Sequence, residues 1–391
     1  MKFPLLDLKA QYRSIEKELK ERVSEVLDSQ MFILGAEVKD LEEELSAYVG
    51  AKHAIGVSSG SDALIISLMA LQVGPGDSVV TTPFTFFATG GAIARLGAKP
   101  VFCDIEPNTF NIDTAKLAEL LEIEIEKKGN SQIKGIIPVH LYGQCVDMKP
   151  IQSLAEKYDL FVLEDAAQAV GSEYLMDSEV KRACTLGDLG ILSFYPAKNL
   201  GACGDAGMVL TNDQNLMERI RLLRVHGSSN KYMYDIIGGN FRMDAIQATV
   251  LRVKLKHLDS WIMGRQQKAA RYETLFSSAG LLEKGLIQTP EAVYRNAGLK
   301  YFHTYHQYVI RADSRDDLQL YMREKDVPSA IFYPMPLHLQ KCFVYLGYRE
   351  GDFPESEKSA SEVLALPIYP ELSEENQDYV VSTIKDFYAE R

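Results

Sequence analysis

Apolar residues along this chain fall into two patterns: short continuous runs, and longer stretches in which they recur every three or four positions. The first stretch predicts an amphipathic helix whose apolar face is shared by Tyr12, Ile15, Leu19, Val23 and Val26. Seven runs of strand length follow, at Ala54–Val57, Val79–Thr81, Val101–Cys103, Ile136–Val139, Leu160–Leu163, Ile191–Phe194 and Met208–Leu210. Because helical stretches separate these runs, we predict an α/β fold with a mainly parallel sheet covered by helices on both faces.

The pattern changes after a helix predicted from about Asp244 to Leu258. The remainder contains a strand near His306–Arg311 and a helix near Glu375–Phe387. No low-complexity tract or Pro/Gly linker interrupts the chain. We therefore predict a large α/β domain over residues 1–255, which carries the candidate site, and a smaller C-terminal α/β domain over residues 256–391.

Composition narrows the classes of function. The 391 residues are 46% hydrophobic and 25% charged, which is typical of globular proteins. A formal net charge of −12 without a basic tract disfavours nucleic acid or an anionic membrane as partner. Without a signal-peptide core, a run long enough to span a membrane, or a cysteine pairing motif, the chain is expected to be reduced and cytoplasmic. The histidine spacing predicts no metal site.

Lys198 is the strongest candidate for chemistry. It follows an apolar strand and lies in the glycine-broken loop SFYPAKNLGACGDAGM. Apolar surroundings would lower its pKa from about 10.4 towards neutrality, and the neutral amine is a nucleophile. The alternative is an ordinary loop lysine with its ammonium group in water, so the interpretation depends on what the neighbouring motifs supply.

A polar, glycine-containing turn precedes an apolar helix that begins near Asp62. The first turn of a helix offers free backbone N–H groups and a positive dipole end, which suit a phosphate. The candidate phosphate ligands are Ser59, Gly60, Ser61, the backbone of Asp62 and, just before the lysine loop, Ser193. Plain capping of the helix is the alternative role for these residues.

A second buried run, Leu160–Leu163, ends in Glu164 and Asp165. Ligands of open α/β sheets bind beyond the carboxyl ends of the strands, so Asp165 is expected near Lys198. A buried carboxylate needs a cation, and a protonated pyridine nitrogen would be one. Its alternative role is to cap the helix that follows. Phe86, after another strand, would give a flat ring a stacking partner.

Eight motifs occur in order over nearly the whole chain: LLDLKAQY, ILGAEVKDLEEELSAYVGAKHAIGVSSGSDAL, GAKPVFCDIEP, PVHLYGQ, EDAAQA, SFYPAKNLG, GGNFRMDAIQA and FYPMPLHLQ. Together they resemble the DegT/DnrJ/EryC1/StrS family of pyridoxal-phosphate-dependent sugar-nucleotide aminotransferases. The resemblance implies the aspartate-aminotransferase fold, known as fold type I, and pyridoxal 5′-phosphate as cofactor.

The resemblance also implies a role for each matching residue. Lys198 would hold the cofactor covalently, Asp165 would keep its pyridine nitrogen protonated, and Phe86 would stack on the ring. The other implied contacts are Gln168 beside the phenolic oxygen, and Ser61, Asp62 and Ser193 around the phosphate. Asn240, in GGNFRM, would reach the phosphate of a neighbouring subunit, which implies a homodimer with shared sites.

The implied reaction moves an amino group from L-glutamate to a nucleotide-linked keto sugar. NLGACGDAGM resembles the version of this loop found in enzymes acting at C3, on UDP-linked 3-keto-N-acetylglucosamine or a dTDP-linked 3-keto-6-deoxy sugar. Amination at C4 is one alternative, and a non-catalytic regulatory or binding protein is another. Three residues are expected to contact the substrate: His140, for which a core role is the alternative, Tyr333 and His338.

Overall fold

The computed structural model describes residues 2–129 and 132–390. Its strands, in chain order, are β1 (His53–Val57), β2 (Ser78–Thr81), β3 (Lys99–Phe102), β4 (Ile133–Ile136), β5 (Phe161–Asp165), β6 (Glu173–Met176), β7 (Glu179–Arg182), β8 (Leu189–Ser193), β9 (Gly207–Thr211), β10 (Ser228–Asn230), β11 (Met233–Tyr234), β12 (Ile287–Gln288), β13 (Tyr308–Ala312) and β14 (Val363–Leu366).

The α-helices are α1 (Leu8–Ser29), α2 (Ala36–Val49), α3 (Gly60–Ala70), α4 (Phe87–Arg95), α5 (Thr114–Leu121), α6 (Met148–Tyr158), α7 (Gln214–Arg224), α8 (Ala245–Leu255), α9 (Leu258–Ser278), α10 (Arg315–Glu324), α11 (Pro354–Glu362) and α12 (Glu374–Ala389). A π-helix, Glu122–Lys127, and three 3₁₀ helices, Leu141–Gly143, Leu337–Leu339 and Lys341–Leu346, complete the helical structure of residues 2–129 and 132–390. Across the described residues, no helix combines the length and apolar character that crossing a membrane would require.

Seven strands form the central sheet, in the spatial order β1-β9-β8-β5-β4-β2-β3. The pairings from β8 to β3 are parallel, whereas β9 runs antiparallel to both β8 and β1. Successive side chains of β9 point to opposite faces, so Met208 and Leu210 enter one hydrophobic cluster and Val209 enters the other. The predicted mainly parallel α/β sheet is confirmed.

The other strands lie within two residues of their predicted runs, and β4 is displaced furthest from its prediction. The apolar run Ile136–Val139 was expected to form the strand, but β4 occupies Ile133–Ile136. The run contains Pro138, which has no N–H group to donate to a neighbouring strand. Regular pairing therefore ends before the apolar run does.

A second core lies in the C-terminal part, around the three-stranded antiparallel sheet β12-β13-β14. Helix α9 joins the two cores, because Ile262 near its start packs in the first and Tyr272 and Phe276 pack in the second. Phe3 also packs in the second core, so the N-terminal segment reaches across to the C-terminal part. A domain boundary at residues 255 and 256 stays a prediction.

Candidate active site

The carboxyl ends of β5 and β8 open onto a cavity of about 720 Å³. Most of its lining is apolar, with a few polar groups, as is usual for small-molecule sites. Nine of the residues singled out from the sequence for a site line it: Ser59, Gly60, Ser61, Phe86, Asp165, Gln168, Ser193, Lys198 and Tyr333. Residues that are far apart in the chain thus meet at one place.

Lys198 and Asp165 face this cavity from neighbouring parallel strands. Asp165 lies beside Ile191 in the register of β5 with β8, and Lys198 sits in the loop that follows β8. Burial lowers the pKa of Lys198 to about 8, and the negative charge of Asp165 acts in the opposite direction. Burial raises the pKa of Asp165, while the charge of Lys198 opposes that rise. A neutralisable amine and a buried carboxylate are therefore electrostatically coupled.

Asp165 is held by two hydrogen bonds. Its Oδ2 accepts from the Thr89 hydroxyl at 2.8 Å, and its Oδ1 accepts from the Ala167 N–H at 3.2 Å. Because the Thr89 proton is used there, the 3.1 Å contact between the two threonine hydroxyls must be donated by Thr85. Neither threonine was predicted from the sequence, although their spacing of four residues in TFFAT places them on one side of the start of α4.

The start of α3 has the geometry of an anion site. The Ser59 side chain caps the helix by accepting the Asp62 N–H at 3.0 Å, which leaves the N–H groups of Gly60 and Ser61 without a carbonyl in the helix. A Cβ on Gly60 would lie 2.5 Å from Ser193 Cβ, so only glycine allows this close approach of helix and strand. Ser61 and Ser193 both line the cavity next to this helix start.

Asp62 is placed differently from its expected role. Its N–H is used by the Ser59 cap, its carboxylate accepts the Ser58 hydroxyl at 2.6 Å, and it does not line the cavity. The geometry therefore gives Asp62 a part in shaping the first turn of α3, with Ser61 and Ser193 nearer to any bound phosphate.

Phe86, Gln168 and Tyr333 form an aromatic and amide cluster in the cavity lining. Phe86, which precedes α4, is 58% exposed, and its ring centroid lies 6.3 Å from that of Tyr333. The Gln168 side chain donates to the Tyr333 hydroxyl at 3.1 Å and accepts the Tyr142 N–H at 2.7 Å. These contacts fix the amide orientation of Gln168, and burial raises the pKa of the Tyr333 hydroxyl.

Two histidines expected to touch substrate lie elsewhere. His140 is fully buried; its Nδ1 accepts the Val146 N–H at 3.0 Å and its Nε2 lies 2.9 Å from Glu164 Oε2. Both ring nitrogens are used in the core, which was the alternative role for His140. His338 is also buried, 3.0 Å from Glu357 and packed on Phe353, and it does not line the cavity. Both expectations are corrected, because the core uses both ring nitrogens of His140 and His338 packs against Glu357 and Phe353 away from the cavity.

Asn240 lies outside the cavity lining. It is exposed, next to the β10–β11 hairpin, and pairs through its backbone with Val225. The chain therefore does not bring Asn240 to its own cavity.

The lining fits pyridoxal 5′-phosphate. Lys198 supplies an amine, Asp165 a carboxylate for a ring nitrogen, Phe86 an aromatic face, and the first turn of α3 a set of free N–H groups for the phosphate. The C-terminal part contributes His306 and Gln307, which the sequence analysis did not single out because nothing in the local pattern before β13 marks them.

Known proteins are similar to this chain over nearly its whole length. The model of the DegT/DnrJ/EryC1/StrS aminotransferase family matches residues 13–385. A "Pleiotropic regulatory protein" of Geobacillus stearothermophilus is 48% identical, with 99% of each chain covered. A protein of Acidithiobacillus ferrooxidans named UDP-N-acetyl-3-dehydro-alpha-D-glucosamine 3-aminotransferase is 38% identical, with 98% of this chain and 97% of the relative covered.

Among solved structures, NtdA from Bacillus subtilis with bound cofactor PMP is 32% identical, with a TM-score of 0.85. The match covers 97% of this chain and 82% of NtdA. The family match, the relatives and the shared fold lead to one conclusion. This chain belongs to the DegT/DnrJ/EryC1/StrS family and is a pyridoxal-phosphate-dependent aminotransferase.

Proposed function

We propose that the protein transfers the amino group of L-glutamate to the C3 ketone of a nucleotide-linked sugar. The single observation that carries the proposal is the meeting of Lys198 and Asp165 in one cavity, beside a helix start suited to phosphate. The cavity has mostly apolar walls and a few polar groups, and such polar groups can orient a bound sugar nucleotide.

Bound pyridoxal phosphate supplies an aldehyde that reacts with amines and a ring that accepts electrons. With a pKa of about 8, the Lys198 amine is partly unprotonated near neutral pH, so it serves as nucleophile when free and as general base or acid at the reacting carbon. Asp165, fixed by Thr89 and Ala167, holds a proton at the ring nitrogen. The N–H groups at Gly60 and Ser61 anchor the phosphate.

The choice of C3 rests on the loop after Lys198. NLGACGDAGM is similar to the loop of enzymes acting on 3-keto sugars, and the Acidithiobacillus relative is named as a 3-aminotransferase. Transamination of a C4 ketone is the competing regiochemistry. We further propose that the nucleotide that carries the sugar is UDP or dTDP.

We also propose a homodimer with shared sites. Among the described residues that line the cavity, Lys198 is the one cationic side chain, beside the carboxylates of Asp165 and Asp205. The phosphates of cofactor and sugar nucleotide need more positive charge than this. Exposed residues near Asn240, among them Lys231 and the 90% exposed Ile237, form a surface that a second copy could cover while Asn240 enters its cavity.

The regiochemistry can be tested directly. The purified protein, loaded with pyridoxal phosphate, is incubated with glutamate and matched 3-keto and 4-keto sugar nucleotides, and the new amine is located by NMR. We expect 2-oxoglutarate to form together with a 3-amino sugar nucleotide. An amine found only at C4 would contradict the C3 assignment.

A regulatory role is the second candidate, because the Geobacillus relative, 48% identical, is named as a regulatory protein. The same assay separates the two. Turnover of a keto sugar favours the catalytic proposal. A protein that exchanges amino groups with glutamate but aminates no keto sugar nucleotide in the panel would overturn the sugar substrate and favour regulation through the same cavity.

A further inference from the structure

His306 brings a second polar group of the C-terminal part to the cavity. The residue lies two positions before β13 and lines the cavity. Its N–H donates to the Tyr142 carbonyl at 2.9 Å, and its own carbonyl accepts from Arg265 at 3.3 Å. The backbone that carries the ring is thus held by the 3₁₀ helix Leu141–Gly143 and by α9.

The hydrogen bonds of Asn199 determine which ring nitrogen carries the proton. Asn199, the residue after Lys198, donates its Nδ2 group to the Thr304 carbonyl at 2.9 Å, and this carbonyl can only accept. The Asn199 Oδ1 must then face His306 Nδ1, at 3.2 Å, and can itself only accept. His306 therefore carries its proton on Nδ1, and Nε2 on the other side of the ring is a hydrogen-bond acceptor.

The ring stays neutral under ordinary conditions. Burial, followed by the charges of Lys198 and Arg265, holds the pKa of His306 well below its usual value. Within the part of the chain that the structure describes, Nε2 has no hydrogen-bond partner. It is an acceptor without a donor at the cavity wall.

Gln307 adds a second unpaired group. It also lines the cavity, and its buried Oε1 has no partner among the described residues. A buried polar atom without a partner is unfavourable, and most such atoms in proteins are satisfied by protein, water or ligand. Two neighbouring polar groups that lack donors indicate that a ligand supplies them.

We propose that His306 is a specificity-determining residue whose Nε2 accepts a hydrogen bond from the sugar hydroxyl next to the reacting carbonyl carbon, with Gln307 completing this subsite. The inference rests on the proposed function and deepens it. Asn199, which contacts the ring, directly follows Lys198, and the charge of Lys198 acts on His306, so the subsite lies beside the amine that works on the reacting carbon. A hydroxyl is the donor that a pyranose carries there.

Two substitutions separate this role from a structural one. In H306N the amide occupies the place of Nδ1, keeping the contact with Asn199 and removing the acceptor at Nε2. In H306Q the amide oxygen reaches the place of Nε2, keeping the acceptor and losing the contact with Asn199. Each variant, as holoenzyme, is assayed in two half-reactions: loss of cofactor absorbance with glutamate, and amination of the sugar nucleotide identified by the regiochemistry assay.

We expect H306N to lower kcat/KM for the sugar by about 10- to 100-fold, the loss typical of one hydrogen bond to a substrate hydroxyl. The factor by which H306N slows the glutamate half-reaction should be at least about tenfold smaller than the factor for the sugar. H306Q should keep most of the wild-type activity towards the sugar. For a sugar analogue that lacks the neighbouring hydroxyl, kcat/KM of the wild type should fall by the same factor. The H306N substitution should then lower kcat/KM for this analogue little further.

Other outcomes overturn the inference. If H306N matches the wild type while H306Q loses both half-reactions, the ring only supports the Lys198 loop. If H306N lowers kcat/KM by the same factor for the deoxy analogue as for the full sugar, the hydroxyl is bound elsewhere. If the wild type aminates no sugar nucleotide but still reacts with glutamate, the proposed function fails, and the subsite with it.

Discussion

At the scale of single residues, the proposed reaction depends most on Lys198. Replacing it with alanine removes both the covalent attachment of the cofactor and the general base, so we expect K198A to lose activity by at least about 100-fold. Borohydride should fix the cofactor to the wild type and not to K198A, as measured by mass spectrometry. The matched control is K149A, since Lys149 is exposed and forms a surface ion pair with Asp177. Covalent labelling retained in K198A would identify another lysine as the attachment point.

The coupling of Lys198 to Asp165 predicts a pH dependence. Only the neutral amine attacks an aldehyde, so capture of pyridoxal phosphate by the apoprotein should slow as pH falls below the Lys198 pKa of about 8. The negative charge of Asp165 raises that pKa, and D165N should therefore move the midpoint to lower pH. Stopped-flow absorbance at a series of pH values measures both. A midpoint that stays in place, or rises, would disprove the coupling.

At the scale of elements, function depends on how closely α3 approaches β8. In G60A the new Cβ would lie 2.5 Å from Ser193, and helix and strand must separate. Losing one or two N–H contacts to a charged phosphate should weaken cofactor binding by roughly 10- to 100-fold. Titration of the apoprotein with pyridoxal phosphate measures the change.

The control for this prediction is G74A, because a Cβ at Gly74 meets nothing within 4 Å. It should bind cofactor like the wild type. Equal affinity for G60A and the wild type would show that the phosphate does not sit at the start of α3.

The same elements show where local patterns suffice. Lys198 and Asp165 could be placed together from sequence, because each follows an apolar run and the carboxyl ends of parallel strands meet at one edge of a sheet. The run Ile136–Val139 could not be placed correctly, since Pro138 shifts regular pairing away from the most apolar residues. Apolar patterns report burial, and hydrogen-bonding capacity determines where a strand ends.

At the scale of the whole molecule, the exposed apolar segment near Asn240 leads to a prediction about assembly. Ile237 is 90% exposed, and Tyr232 and Met233 are 76% and 62% exposed. If a second copy covers this surface, I237K should weaken the dimer by at least about tenfold, because a buried lysine lacks a counter-charge. Sedimentation equilibrium measures the association. Cofactor affinity should fall in parallel, since the proposed shared site needs Asn240 of the second copy.

A lysine at another exposed apolar position controls for surface charge. L320K changes a side chain that is 50% exposed on α10, in the C-terminal part. It should leave the association unchanged. A wild-type protein that is monomeric at all accessible concentrations would contradict the shared site.

The order of strands and helices, the lysine loop and the acidic strand end follow from the chain alone, because each depends on neighbours within a few residues. The partners of polar side chains do not. Thr89 reaches Asp165 from 76 residues away, and His306 meets Asn199 across 107 residues. His140 and His306 look alike in sequence, yet the core uses both nitrogens of the first and leaves one nitrogen of the second free at the cavity. The packing of distant segments determines whether a polar side chain forms its hydrogen bonds within the core or can bind a ligand, since only then are its hydrogen-bond partners present.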